Sequence, residues 1–168
     1  LGSCSSNLEA ALSMVRHGID AAAAEAPVTA LEHARAMASR GHSVDVMLRF
    51  YRLGHEYFTA RLADVMKGWT GDSATALTVY AELERFAFRY IDRISSLVAE
   101  EYVAELDRRQ NQARAERAEM VQDLLAGKRI TVSRAERVLR HRLTGSQIGF
   151  VCWARDRAVN LERQANLL

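Results

Sequence analysis

Cysteine and proline are almost missing from this chain. Its 168 residues hold two cysteines, Cys4 and Cys152, and one proline, Pro27. Two thiols that far apart, one in a polar opening stretch and one in an apolar run, make no disulfide framework and read as reduced cysteines of a cytoplasmic protein. An excess of one charge is lacking too: 23 Lys and Arg against 21 Asp and Glu leave a formal net charge of +2. That balance argues against a nucleic-acid surface spread over the whole chain. No uninterrupted apolar run approaches the ~18–20 residues that cross a bilayer, so no membrane partner is expected. The opening LGSCSSNLEA has neither the basic region nor the apolar core of a signal peptide. Because the first residue is not Met, a piece of a longer protein is expected, and Leu1 to Ser3 are set aside from the fold reading.

Catalytic signatures are missing as well. None of HExxH, GxSxG, a P-loop or GxGxxG occurs, and no Cys stands near the histidines at zinc-site spacing. The expectation is therefore no enzyme, no metal and no cofactor.

Hydrophobic residues make up 49% of the chain, ample for a core. The stretch from Ser43 to Thr70 organises them. Met47, Tyr51, Gly54, Phe58, Leu62, Val65 and Trp69 alternate steps of three and four, one line down a helix. A second line, Val46, Phe50, Leu53 and Tyr57, lies beside it. So wide an apolar arc predicts a central helix contacted from two sides, with Arg49, Arg52, Glu56 and Arg61 left to water. Gly54 costs such a helix roughly 1 kcal/mol relative to Ala, which marks either close helix contact or room for a ligand.

Upstream, Leu8, Leu12, Val15 and Ile19 predict a first amphipathic helix capped by Asn7. After an Ala-rich link, Pro27 suits the opening turn of a second helix through Val28, Leu31, Ala34, Met37 and Ala38, ending at Gly41. Ser43 caps the central helix. Beyond the turn Thr70 to Asp72, a long helix carries Tyr80, Leu83, Ala87, Ile91, Ile94, Val98 and Tyr102, widened by Phe86, Phe88 and Tyr90. It meets no breaker between Ser73 and Gly127. From Leu106 its pattern turns coiled-coil-like: Leu106, Gln110, Ala113, Arg117, Met120 and Leu124 form a thin a/d seam that Gln110 and Arg117 interrupt. A solvated single helix is the alternative. Ser133 with Glu136 reads as a capping box opening a short helix to about Arg142. Ile148 to Trp153 reads as a strand, and Leu161 to Leu168 as another short helix.

Two groups of side chains hold chemical interest. Phe50, Tyr51, His55, Tyr57, Phe58, Phe86, Phe88 and Tyr90 are either solid core or the lining of an apolar cavity for an acyl chain or flat ring. In the second case Arg49, Arg52 or His55 would meet a carboxylate at its mouth. His55 alone among the histidines sits in that aromatic centre, which leaves haem ligation open beside a plain hydrogen-bonded role. The basic run Arg129, Arg134, Arg137, Arg140 and Arg142 lacks the second helix of a helix-turn-helix reader.

Two stretches resemble known families. HSVDVMLRFYRLGHEYFTARLADVM is similar to the core helix of the RsbRD-type N-terminal sensory domain, with Tyr51, Arg52, Gly54 and His55 as its signature. RAEMVQDLLAGKRITVSRAERVLRHRLTGSQIGFVCWA resembles the junction that opens a degenerate GGDEF-like domain in PucR/CdaR-type bacterial transcription regulators, carried by Leu143, Gly145 and Trp153. The resemblance implies a cytoplasmic homodimeric regulator that touches DNA only through a C-terminal helix-turn-helix domain absent from this chain. It leaves an apolar or acyl-type small-molecule effector open.

The expected fold is all-α: a helical sensory bundle over residues 1–105, a coiled-coil-like linker helix over 106–128, and a truncated α/β fragment over 129–168. The expected function is ligand sensing and dimerisation in a transcriptional regulator. The alternatives are a protein-interaction scaffold with no small ligand and a haem or gas sensor using His55.

Overall fold

The computed structural model describes residues 2–146, and every regular element among them is helical. The order is α1 (Gly2–Arg16), a 3-10 turn (Ala21–Ala23), α2 (Val28–Ser39), α3 (Val44–Lys67), α4 (Ser73–Leu125) and α5 (Val132–Leu139). The strand expected over Ile148 to Trp153, the helix over Leu161 to Leu168, and Trp153 itself lie outside the described residues, as does the α/β character they were to give the C-terminal part.

Local chemistry sets most of the helix limits. Ser43 caps α3, its hydroxyl accepting from the Asp45 amide at 3.2 Å. Asp72 does the same for α4 by accepting from the Thr75 amide at 2.8 Å. α2 ends in a Schellman turn: Gly41 takes φ 72°, its amide donates to Ala38 and the His42 amide to Met37. α4 ends the same way at Gly127.

Two caps differ from expectation. Asn7 lies inside α1, because its side-chain amide donates to the Ser3 carbonyl at 2.8 Å and so supports the helix from within. Gly2 and Ser3, set aside from the fold reading, belong to the first turn of α1. Ser133 also lies inside a helix: α5 is preceded by Thr131, and the Glu136 carboxylate accepts from the Leu143 amide at 2.8 Å instead of closing a capping box. α5 stops at Leu139, short of Arg142, where Arg140 turns left-handed at φ 52°.

The chain divides into two compact units at Gln112–Ala113. In the first, small residues of the link and α2 (Ala21, Ala24, Ala30, Ala34, Ala38) pack with Met37 and Met47 against Tyr90, Ile94, Val98 and Tyr102 of α4. Those four lie one turn apart on one face. Ile94 and Val98 are 0% exposed. The Tyr102 hydroxyl donates to the His42 carbonyl at 2.7 Å, tying α4 to the turn after α2. At the surface of the same seam Glu101 meets Arg35 and Arg108, each at 2.7 Å. In the second unit Met120 and Ala135 are the buried apolar side chains among the described residues.

α3 corrects the expectation of two-sided burial. Met47 is its one buried residue, while Val46, Phe50, Leu53 and Tyr57 are all exposed. The apolar arc is as wide as the sequence says, but the bundle meets only its first line from Met47 to Leu62 and the edge at Phe50, and Val65 and Trp69 are exposed.

Candidate ligand-binding site

The inward line of α3 does not close on its neighbours. Between α1, α3 and α4 lies a cavity of about 660 Å³. α1 supplies Leu8, Ala11, Leu12 and Val15; α3 supplies Met47, Phe50, Tyr51, Gly54, His55, Phe58 and Leu62; α4 supplies Leu83, Phe86, Ala87, Tyr90 and Ile91. Spacings of three and four bring each set to one helical face. A Cβ at Gly54 would meet nothing within 4 Å, so this glycine leaves the wall open and makes no close helix contact. The cavity opens to solvent along α1 and α3, since Leu12 and Phe50 line it yet remain 56% and 57% exposed.

Six of the eight side chains grouped from sequence, Phe50, Tyr51, His55, Phe58, Phe86 and Tyr90, line this one cavity. Tyr57 does not: it lies on the outer line of α3 and is 67% exposed. Phe88 is outside as well, exposed and edge-on to His55 with ring centroids 6.0 Å apart. The sequence reading missed the contribution of α1. The spacing of Leu8, Leu12 and Val15 marks an apolar face, but no pattern in the chain says what that face borders.

Polar groups gather where α1 meets the two tyrosines, and they largely satisfy one another. The Tyr90 hydroxyl donates to the Asn7 carbonyl at 3.0 Å and lies 3.3 Å from Asn7 Oδ1. Burial, reinforced by Tyr51 nearby, pushes the Tyr90 phenol up to about 12. Burial also raises the Tyr51 phenol, against hydrogen bonds from the Ser3 and Asn7 side chains. His55 Nε2 is sealed from solvent without a hydrogen bond, 3.5 Å from Glu84 Oε1. The other Glu84 oxygen accepts from Thr59 Oγ1 at 2.9 Å. Arg49 and Arg52 are exposed and take no part in the lining.

The candidate seam residues differ widely in setting. In the first unit Leu106 packs against the core and Gln110 is exposed. In the second, Ala113 and Arg117 are half-buried, Met120 is buried and Leu124 is exposed. Among the described residues no three His, Cys, Asp or Glu side chains are grouped to hold a metal ion. Nor is any helix among them long and apolar enough to cross a membrane.

No curated protein and no solved structure matches the chain. The family model of the RsbT co-antagonist protein rsbRD N-terminal domain matches residues 1–117. That span contains the whole first unit and every residue of the cavity wall. The chain belongs to the RsbRD N-terminal domain family and carries a sensory or signalling-associated domain.

Proposed function

We propose that residues 2–125 form the effector-sensing and dimerising region of a cytoplasmic transcriptional regulator of PucR type, which relays effector binding to a helix-turn-helix domain elsewhere in the full-length protein. The observation that carries this reading is the apolar cavity whose wall includes α4, together with the continuity of α4 from that wall to Leu125. A small molecule between α1, α3 and α4 changes how α4 is held at Leu83 to Ile91. A continuous helix transmits such a change as rotation or splay. Dimerisation through Leu106, Gln110, Ala113, Arg117, Met120 and Leu124 supplies the two-state element, because Gln110 and Arg117 keep the seam weak.

Native mass spectrometry of the protein as purified from cells tests this reading. A dimer carrying a small-molecule adduct is the expected result, and a monomer without adduct would contradict it. Leu at both Gln110 and Arg117 should strengthen the dimer and blunt the effector response; unchanged association and response would remove the seam from the account.

A scaffold that binds another protein and no small ligand is the second reading. The outer line of α3 favours it, since Val46, Leu53 and Tyr57 present an exposed apolar face outside the cavity. A ligand-free dimer would put it ahead.

A further inference from the structure

The cavity wall is unusual in what it omits. It contains no Lys, Arg, Asp or Glu, and its only imidazoles are His33 and His55. Of its hydrogen-bonding groups, those of Asn7, Tyr51 and Tyr90 are already spent on one another and on Ser3, while His55 Nε2 is enclosed and makes no hydrogen bond. Its volume of about 660 Å³ lies in the range of sites for drug-sized ligands. A carboxylate, phosphate or ammonium group entering it would shed its hydration and find no opposite charge. Arg49 and Arg52 do not remedy this, because both stay outside the wall.

Resting on the reading that this cavity takes a small effector, we infer that the effector is an uncharged, mainly apolar molecule, such as a long-chain alcohol, ester or lactone or a flat aromatic compound, and not a fatty-acid anion. Phe58, Leu62 and Leu83 bury its chain or ring. Gly54 leaves the space its bulk needs. A single weak polar group is tolerated toward the open side, where Leu12 and Phe50 meet solvent.

The test is dye displacement on the whole chain at pH 8. N-phenyl-1-naphthylamine, uncharged and fluorescent in apolar surroundings, reports occupancy. Decan-1-ol, decanoate and decyltrimethylammonium share a chain and differ in head-group charge. Decanol should displace the dye at a concentration about ten-fold or more below either ion. Gly54→Leu should abolish dye binding, and Tyr57→Ala, outside the cavity, should leave it unchanged. Decanoate or the ammonium displacing as well as decanol would overturn the uncharged class while leaving a small-molecule site in place. Dye binding that survives Gly54→Leu, or none to the wild-type chain, would overturn the inference and the effector reading together.

Discussion

α4 packs in two different ways along one face. From Tyr90 to Tyr102 it meets the alanines of the link and α2, and Ile94 and Val98 are fully enclosed. One to two turns earlier, from Leu83 to Ile91, it meets the large side chains of α3 and α1, and a cavity remains. The contrast lies in side-chain size. Alanines let helix backbones approach until the larger partner fills the gap, as dense protein interiors require. Phe50, Phe58 and Phe86 line the space, and Gly54, midway between Phe50 and Phe58 on α3, contributes nothing to fill it. The tight end anchors the first unit, and the loose end holds the space proposed for an effector.

Substitutions should separate the two ends. Ile94→Ala removes a fully enclosed side chain and should cost about 2–5 kcal/mol, read from the urea midpoint. Phe50→Ala, a larger truncation at the loose end, should cost less than about 1 kcal/mol because the ring is already more than half in water. Equal costs would abolish the distinction. Native-state hydrogen exchange should show the same order, with amides around Ile94 and Val98 protected far longer than those of α1. Uniform protection would argue for one evenly packed bundle.

Hydrogen bonds across the core sharpen the comparison by smaller amounts. Tyr102→Phe should cost on the order of 1 kcal/mol, because the His42 carbonyl loses its donor. Tyr90→Phe should cost a similar amount and also loosen α1 at Asn7, seen as faster exchange there alone.

The smallest effect is electrostatic. Arg35 and then Arg108 hold the Glu101 carboxyl below its usual value. A carboxyl with a depressed folded-state pKa stabilises above its unfolded pKa, and the benefit is lost as pH falls through the folded value. The small thermal-stability advantage of the wild type over Glu101→Gln should therefore be present near neutral pH and vanish in acid below the ordinary carboxylate range. It should also shrink with salt, because these groups are partly exposed. An advantage that grows on acidification would contradict the assignment.

Much of the helical frame was legible because its signals are local. Ser43 before an apolar run, Gly41 after one, and the unbroken pattern from Ser73 each act within a turn or two of chain. The aromatic members of the cavity were legible for a related reason: helical spacing places residues four apart on one face. What local pattern could not decide was which apolar line of α3 turns inward. Val46, Phe50, Leu53 and Tyr57 are as apolar as the inward line, and only the partner helices choose between them. Asn7 and Ser133 misled because a residue suited to a cap can also bond inside a helix. The role of α1 was hidden because Leu8 and Leu12 look alike whether they close a core or border a cavity.

The most direct test of the loose end is thermal unfolding of Gly54→Ala and Gly54→Leu beside the wild type. Alanine isolates the helix-propensity gain of about 1 kcal/mol. Leucine adds a side chain aimed at the space the cavity leaves. Leucine at least as stabilising as alanine, with dye binding lost only in the leucine variant, is the predicted result. A melting temperature for leucine well below both others would mean that the space is filled in solution, and the cavity account would fail.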